Sequence, residues 1–362
     1  MDPVAALEEI AFLLERDRAS RYKSTAFRRA AAIIEEYTPE ELAARVRDGR
    51  LKRTKGIGDS TYAVIAQAVG GGVPDYLADL RERSGPAVST AKPGLRAQLK
   101  GDLHSHTEWS DGTTPITTMA RAAELVGLEY LVISDHSPNL TVANGLSVER
   151  LTEQLDVLDE LDAAREGGIR LLSGIEVDIL LDGALDQTPE MLSRLDVVVA
   201  SVHSKLRTES REMTRRMLGA IADPQTNVLG HCTGRLVEGS RGTRPQSTFD
   251  ARAVFAACAV HGVAVEIISR PERLDTPDDL IQLALEAGCL FSVDSDAHAP
   301  GHFSFLELGA ARAEANGVPA ERIVTTWPVD RLRRAGRRRP RRRPWRRPSA
   351  GSPRRVAGAP SS

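Results

Sequence analysis

Aromatic residues and cysteines are scarce in this sequence. Phe, Trp and Tyr make up 4% of its 362 residues, whereas apolar residues as a whole reach 41%. The core must therefore be built from Val, Leu, Ile and Ala, a composition that suits the buried strands of a parallel α/β protein. The three cysteines, Cys232, Cys258 and Cys289, are widely spaced and odd in number. They form no zinc-knuckle spacing, and reduced thiols are favoured over a disulfide framework.

Long apolar runs are also missing. No stretch of about 18 apolar residues occurs, as a membrane-spanning helix would require. The first residues, MDPVAALEEI, lack the basic and apolar regions of a secretory signal peptide. We therefore expect a cytoplasmic protein. The length is sufficient for two domains, or for one large barrel with additions.

Acidic residues are absent from the C-terminal end of the sequence, an asymmetry hidden by the net charge of −2. From Arg331 onward there are 13 arginines and no Asp or Glu, so the preceding residues carry 35 basic and 50 acidic side chains. The Arg- and Pro-rich composition predicts a disordered tail over residues 333–362. Such a tail is typical of nucleic-acid binding; the alternative is a segment without an evolved role, as a shifted reading frame would produce. The acidic body restricts any contact with DNA to a local surface.

Residues 1–85 are predicted to form a small all-α domain. Apolar residues recur at helical spacing in VAALEEIAFLLE and in AFRRAAAIIEEY. Thr38 followed by Pro39 and two acidic residues is typical of a helix start, with Thr as the cap and Pro at the first position. These patterns predict several short helices before residue 86.

Two glycines separated by one apolar residue lie between two of these helices, in LKRTKGIGD. The pattern resembles the helix-hairpin-helix of DNA-binding proteins. Gly56 and Gly58 allow backbone N–H groups at the start of the next helix to approach a phosphate, where the helix dipole also attracts an anion. Lys52, Arg53 and Lys55 add unspecific attraction for phosphates. The alternative is a structural glycine cap that joins two helices.

Strand and helix patterns alternate from residue 100 onward, after a Pro-, Ala-, Ser- and Gly-rich segment, 86–99, that is predicted to be a linker. Seven strands are predicted, in GDLHSHT, YLVISDH, RLLSGIEVDI, DVVVASVHS, NVLGHC, AVEIIS and LFSVDSDAH. Strands separated by helices predict a parallel sheet, and their number favours a closed barrel over an open sheet. We therefore predict an α/β barrel domain over residues 100–332.

Residues of the kinds that bind metals end nearly every predicted strand. His104 and His106 are spaced i and i+2, so both imidazoles point to the same side of an extended chain. The candidate ligands are His104, His106, Asp111, His136, Glu176, His203, His231, Asp296 and His298. Active sites of βα barrels lie at the C-terminal ends of the strands, so we expect these side chains to meet there. Imidazole with carboxylate suits zinc, manganese or iron, and nine ligands indicate two or three divalent ions.

The segments that carry these residues are DLHSHT with SDG, SDH, GIEVD, SVHS, GH and SDAH. In kind and order they resemble the PHP (polymerase and histidinol phosphatase) family of phosphoesterases. The resemblance implies a distorted (β/α)7 barrel with a trinuclear metal centre at the C-terminal strand ends. Carried over by motif, the ligands form three sets: His104, His106, Glu176 and Asp296; Glu176, His203 and His231; and Asp111, His136 and His298. Many members of the family have His at the position of Asp111.

The order of the two domains resembles that of bacterial X-family DNA polymerases, which carry a helix-hairpin-helix domain and a PHP domain with a polymerase palm between them. Only the predicted linker separates the two parts here, which excludes polymerase activity. In related small domains with lyase activity, a lysine on the helix after the hairpin forms a Schiff base. The corresponding DSTYAVIAQAV has no lysine, so lyase activity is not expected. Ile268 also departs from the Asn that polymerase-type PHP domains usually have, which removes a polar group near the barrel mouth.

The metals imply hydrolysis of phosphate esters, because water shared by two such ions is deprotonated near pH 7 and positioned for in-line attack. Glu176 and Asp296 are the carboxylates expected to be central to catalysis. Lys205 and Arg235 closely follow ligands and are candidates to hold a phosphate; the alternative is solvated charge on the barrel rim. Asp135 either orients a neighbouring ligand or caps the turn that follows it.

Three functions remain open at this point. The first is a 3′-5′ exonuclease or DNA-end phosphatase, which the hairpin favours. The second is a small-molecule phosphomonoesterase similar to histidinol phosphatase, which the acidic body and Ile268 favour. The third is a non-catalytic DNA-binding module with a structural metal barrel, and the complete ligand set argues against it. Phosphate-ester substrates and DNA are thus the expected partners, while the oligomeric state is not determined by the sequence.

Overall fold

The computed structural model describes residues 1–85, 94–164, 167–239 and 242–337. Residues 86–93 of the predicted linker and the predicted tail from residue 338 lie outside the described residues. None of the helices within the described ranges is both long and apolar enough to cross a membrane.

The N-terminal part is a bundle of five helices with its own apolar cluster. The helices are α1 (Pro3–Arg16), α2 (Arg21–Glu35), α3 (Pro39–Arg47), α4 (Asp59–Val69) and α5 (Asp75–Ser84). Side-chain caps start two of them, and the cap at Thr38 is the one that the sequence predicts. Thr38 Oγ1 accepts the N–H of Glu41 at 3.2 Å, and Asp2 Oδ1 accepts the N–H of Ala5 at 2.7 Å. Each cap satisfies a backbone donor that has no partner within the helix.

The remainder is a seven-stranded parallel barrel surrounded by helices, which confirms the predicted fold class. The strands are β1 (Gly101–Asp102), β2 (Tyr130–Ile133), β3 (Arg170–Asp178), β4 (Val197–Ser201), β5 (Val228–Leu229), β6 (Ala264–Ile268) and β7 (Leu290–Asp294). They are hydrogen-bonded in sequence order, each parallel to the next. The helices are α6 (Ile116–Leu125), α7 (Val148–Ala164), α8 (Pro189–Leu192), α9 (Ser210–Ile221), α10 (Ala251–His261), α11 (Asp278–Glu286), α12 (Leu306–Ala315) and α13 (Val329–Arg337).

The two terminal strands, β1 and β7, meet at a seam that side chains help to close. Asp102 and Asp294 are both fully buried there. Asp294 Oδ1 accepts the N–H of Leu103 at 2.8 Å, and Asp102 Oδ1 accepts the N–H of Ser295 at 3.2 Å. Burial raises the pKa of Asp102 to about 6 and that of Asp294 well above its usual value. The seam thus depends on a reciprocal pair of carboxyl groups.

The edges of the predicted linker and tail belong to ordered elements. Residues 94–98 form a 3-10 helix whose Leu95 is buried, with its N–H donated to Glu314 at 2.9 Å. At the other end, α13 runs past the predicted boundary at residue 333 to residue 337. Arg333 pairs with Asp196 at 3.0 Å, Arg331 stacks on Trp327, and Leu332 packs against an apolar cluster.

The helical bundle packs directly against the barrel through α1. Phe12 is 5% exposed and belongs to the apolar cluster of the barrel. Glu15 accepts the N–H of Gly301 at 2.9 Å and pairs with Arg28. The backbones approach so closely that a Cβ on Gly301 would lie 2.3 Å from the carbonyl oxygen of Phe12. The two parts are therefore joined by a packed interface in addition to the chain connection.

Candidate metal centre

The structure brings all nine predicted ligands together at the C-terminal ends of the strands. Each strand, with the exception of β6, has at least one of them at or just beyond its end, and Asp111 lies on the loop between β1 and α6. Six of them are buried: His104, His106, His136, Glu176, His231 and Asp296. Asp111, His203 and His298 are partly exposed. The barrel therefore converts separate short motifs into one cluster.

Glu176 occupies the centre of this cluster. Its Oε1 lies 2.8 Å from Nε2 of His231 and 3.1 Å from Nε2 of His203. Its Oε2 lies 2.9 Å from Nδ1 of His136 and 3.3 Å from Nε2 of His104. One carboxylate is thus shared among imidazoles from four different strand ends.

The donor atoms fall into overlapping groups, each small enough to surround an ion. Four groups have donor atoms within 4.8 Å of one another: His106, Asp111, His136 and His298; His104, Glu176 and His231; His104, His106 and Asp296; and His136, Glu176 and His203. The sets implied by the family resemblance differ in that they place His136 with Asp111 and His298 but not with Glu176, and they separate His104 from His231. In the structure His136 reaches both carboxylates, since Nε2 lies 3.5 Å from Asp111.

Unpartnered polar atoms show that the cluster fits bound cations. His104 Nε2, both ring nitrogens of His106 and Glu176 Oε2 are buried without a hydrogen-bond partner. The same holds for a donor atom of every other candidate ligand except His298: Asp111 Oδ1, His136 Nδ1, His203 Nδ1, His231 Nδ1 and Asp296 Oδ2. An unsatisfied buried polar group costs about 1–3 kcal/mol. Imidazole and carboxylate donors facing one another suit zinc, manganese or iron.

The two central carboxylates are ionised in spite of their burial. Burial alone would raise the pKa of Glu176, but His104 and other imidazoles outweigh it and hold this pKa well below its usual value. The pKa of Asp296 is also held well below its usual value, mainly by His298 and His106 against the effect of burial. Both carboxylates therefore offer charged oxygens at neutral pH.

The imidazoles differ in protonation. Burial, together with the neighbouring His298 and His136, lowers the pKa of His106 to about 3, so this imidazole is neutral and its lone pair is available. Burial also opposes charge on His203, but Glu176 and Asp178 outweigh it and raise its pKa to about 9. His203 therefore carries a proton at neutral pH when no cation occupies the site.

Two buried carboxylates that the sequence analysis did not single out contact candidate ligands. Asp178 accepts the N–H of His203 at 3.1 Å and lies 3.5 Å from its Nδ1. Glu266 lies 2.6 Å from Nδ1 of His104. A signal was present for each: Asp178 follows Glu176 by two residues and shares its face of β3, and Glu266 is an acid within a buried apolar strand.

Two arginines on the loop after β6 also border the cluster. Arg273 Nε lies 3.4 Å from Asp296 Oδ2. Arg270 Nη1 donates to the carbonyl of Asp296 at 3.1 Å and lies 3.2 Å from Nδ1 of His298. The charged segment RPER directly after a strand is the sequence signal for them. They add positive charge beside the metal ligands.

The other predicted residues of the barrel lie on its rim or below it. Lys205 is exposed and has a positive φ of 53°. Arg235 is half-buried, and its N–H donates to Thr233 at 3.2 Å. Asp135 contacts the loop of the first motif: it accepts the N–H of Thr107 at 2.8 Å and a side-chain N–H of Gln154 at 2.7 Å. These contacts organise the loop that follows His106, which differs from both predicted roles of Asp135, orienting a ligand side chain and capping the turn after it.

The predicted hairpin joins a 3-10 helix, residues 51–53, to α4. Gly56 has a φ of +99°, and a Cβ there would lie 2.6 Å from Ile33. Gly58 precedes α4 with open space around its Cβ position, and its N–H is donated to Thr61 at 2.9 Å. Lys55 is exposed. The exposed Lys52 pairs at 3.2 Å with the Asp59 carboxylate, which offsets one of the basic charges.

Comparison with known families identifies both parts of the chain. Residues 102–269 match the PHP domain, and residues 1–73 match a helix-hairpin-helix domain. The barrel carries a PHP domain. Asp296 and His298 lie beyond the matched residues, and the structure places them in the same PHP barrel, just after β7.

The proteins to which this chain is similar differ in length and description. It is 36% identical over 246 residues to the DNA polymerase/3′-5′ exonuclease PolX of Bacillus subtilis, covering 67% of this chain and 42% of PolX. The chain therefore spans less than half the length of that relative. It is 27% identical to a probable phosphatase of Aliivibrio fischeri, covering 62% of this chain and 88% of the other. A histidinol phosphate phosphatase structure from Lactococcus lactis has a TM-score of 0.45 and 18% identity, over 60% of this chain and 94% of that one.

Proposed function

We propose that this protein is a metal-dependent phosphoesterase whose nine candidate ligands hold two or three divalent ions, zinc, manganese or iron. The observation that carries the proposal is the convergence of buried, unpartnered imidazole and carboxylate atoms on Glu176. Such ions would supply a water of lowered pKa and charge neutralisation for the phosphoryl oxygens. The similarity to phosphatases and to an exonuclease supports the same reaction class.

The residues of the chain have separate roles in this proposal. Glu176 and Asp296, both ionised, orient the neighbouring imidazoles and would offer charged oxygens to the ions. Lys205 and Arg235, on the loops after β4 and β5, are proposed to contact the phosphate from the rim. Arg273 is proposed to balance the negative charge of Asp296, so that an anionic substrate meets less repulsion.

We propose DNA ends as the substrate, cleaved by a 3′-5′ exonuclease or a 3′-phosphatase reaction. Two observations support this choice: the helix-hairpin-helix domain and the similarity to PolX. In this proposal Lys52, Lys55, Gly56 and Gly58 form a sequence-independent phosphate contact. The first helical hydrogen bond of α4 is donated by Tyr62, so the backbone N–H groups just before it have no acceptor within the helix.

A small phosphomonoester is the second candidate substrate. The chain covers 88% of the length of two probable phosphatases, compared with 42% of the length of PolX. This more complete match favours a small phosphomonoester. Ile268 supports it as well, because this side chain is buried at the end of β6 and offers no hydrogen bond to a base or sugar. A structural barrel without catalysis is the remaining alternative.

A direct test compares the substrates on one preparation. Purified full-length protein is loaded with manganese and incubated with 3′-labelled single-stranded DNA, with histidinol phosphate, and with p-nitrophenyl phosphate; metal content is measured in parallel. We expect two to three ions per chain, shortening or dephosphorylation of the labelled DNA, and loss of activity with a chelator. Turnover of histidinol phosphate alone would favour the small-molecule enzyme. Metal binding without any turnover would favour the structural barrel, and absence of metal would contradict the proposal.

A further inference from the structure

Glu266 connects two candidate ligands from beneath the metal centre. It lies on β6, the strand that contributes no predicted ligand, and its side chain is fully buried. One carboxylate oxygen lies 2.6 Å from Nδ1 of His104, and the other accepts the backbone N–H of His231 at 2.5 Å. A single carboxylate thus contacts the side chain of His104, just after β1, and the backbone of His231, just after β5.

The contact determines which nitrogen of His104 faces the site. Because Nδ1 is directed at Glu266, Nε2 is left without a partner and points to Glu176 Oε2 at 3.3 Å and to Asp296 Oδ1 at 3.8 Å. His106 differs, since neither of its ring nitrogens has a hydrogen-bond partner. A carboxylate that accepts the second N–H of a metal-bound histidine fixes its tautomer and ring orientation.

We propose that Glu266 is a positioning residue that holds His104 and His231 in the geometry needed to bind a divalent ion together with Glu176. The inference rests on the proposed function, because it concerns the same metal centre. Glu266 does not reach the ion itself, as its two oxygens are already engaged by the two histidines. It acts by fixing the ring orientation of His104, with Nε2 towards the site, and the backbone position of His231 before an ion arrives.

Substitution by glutamine separates this role from simple space filling. Both oxygens of Glu266 accept a hydrogen bond, and Gln has nearly the same size but only one acceptor oxygen. In Glu266→Gln, either His104 Nδ1–H or the N–H of His231 must face an amide NH2 group. One of the two ligands therefore loses its support.

The experiment measures zinc affinity of the full chain by competition with a chromophoric chelator. We expect Glu266→Gln to bind the ion at the His104–His231 site about 10- to 100-fold more weakly, the usual effect of removing an outer partner of a metal ligand. The matched control is Glu15→Gln, since Glu15 is also buried and uses its oxygens for Gly301 and Arg28. This control is expected to lose thermal stability and to retain zinc affinity. Equal affinity in Glu266→Gln and the wild type would overturn the proposal.

A measurement on the wild type keeps the proposal testable if Glu266→Gln does not fold. In zinc-loaded protein with ¹⁵N-labelled histidine, His104 should keep a proton on Nδ1 and bind zinc through Nε2; its signal is assigned by its loss in His104→Asn. A His104 without a proton on Nδ1 would contradict the role of Glu266. Failure of the wild type to bind zinc at all would instead count against the proposed function, which separates the two failures.

Discussion

At the scale of single residues, Glu176 has more contacts with candidate ligands than any other side chain of the site. Its two oxygens face imidazoles from four strand ends. We expect Glu176→Gln to lower phosphoesterase activity by more than about 100-fold, beyond the effect of losing an outer partner of a ligand, because Glu176 is itself a candidate ligand and an amide cannot replace its charged oxygens. Turnover of p-nitrophenyl phosphate with manganese measures this.

The matched control for this substitution is Glu160→Gln, an exposed position on α7. It should retain full activity and metal content. Full activity in Glu176→Gln would remove the central carboxylate from the mechanism, whereas loss of activity in both variants would indicate a preparation artefact.

The protonation of the metal-free site predicts a pH dependence of metal uptake. The pKa of His203 is raised to about 9, so this imidazole is protonated at pH 7.5 and must release its proton to bind an ion. Zinc titration in weak buffer should therefore release at least one proton per chain. The apparent affinity should rise about tenfold per pH unit for each proton displaced, and the contribution of His203 to this rise should end near pH 9. Zinc binding with no proton release at pH 7.5 would contradict the raised pKa.

At the scale of elements, the hairpin before α4 offers a substitution that leaves the fold intact. Gly58 has a φ of −97° and ψ of 174°, which any residue adopts, and open space surrounds its Cβ position. We expect Gly58→Val to raise the KM for DNA, because the added side chain blocks the approach of backbone N–H groups to a phosphate. Each lost phosphate contact should also reduce the slope of log affinity against log salt by about 0.7–0.9.

Two comparisons make this prediction specific. Gly72→Val, which alters another exposed glycine of the helical bundle, should leave DNA turnover unchanged. Turnover of p-nitrophenyl phosphate should be the same in both variants. If Gly58→Val cleaves DNA like the wild type, the hairpin is structural and the small-molecule phosphatase becomes the better assignment.

The sequence was most informative where the candidate functional residues occur in short local motifs. His104 and His106 could be recognised because spacing of two puts them on one side of an extended chain, and the seven strands could be recognised because helical and strand periods alternate. The grouping of ligands could not be predicted, since it depends on which strand ends face one another across the barrel. Glu266 was missed because a single acid within an apolar strand does not indicate which residues after other strands its carboxylate contacts.

At the scale of the whole molecule, the helical bundle and the barrel form a common apolar interface. A Pro- and Gly-rich linker suggests independent domains. The sequence of an amphipathic helix shows that one face is apolar, but it does not show which surface packs against that face. In the structure, Phe12 of α1 is buried in the cluster of the barrel, and Glu15 accepts the N–H of Gly301. Gly301 lies three residues after His298, so the bundle contacts the loop that carries a candidate ligand.

This interface predicts that removing one aromatic side chain destabilises the protein without emptying the metal centre. We expect Phe12→Ala to lower the free energy of unfolding by about 3–5 kcal/mol, the usual effect for a buried Phe. Urea unfolding measures the change, and metal content should equal that of the wild type. Tyr22→Ala, at a position that is 88% exposed, is the control and should be nearly neutral. A change of less than about 1 kcal/mol in Phe12→Ala would mean that the two parts fold independently.

The seam between β1 and β7 has a consequence for amide hydrogen exchange. The N–H groups of Leu103 and Ser295 are donated to carboxyl groups across the seam, outside the strand ladders that protect the rest of the barrel. His106 and Asp296 lie on opposite sides of the same seam, 3.2 Å apart, so an ion bound by both links its two edges. Removal of metal by a chelator should therefore accelerate exchange at Leu103 and Ser295 more than at Val199 in the middle of β4. Equal acceleration at all three amides would show that the barrel loosens as a whole, and no change would show that the seam does not depend on the ion.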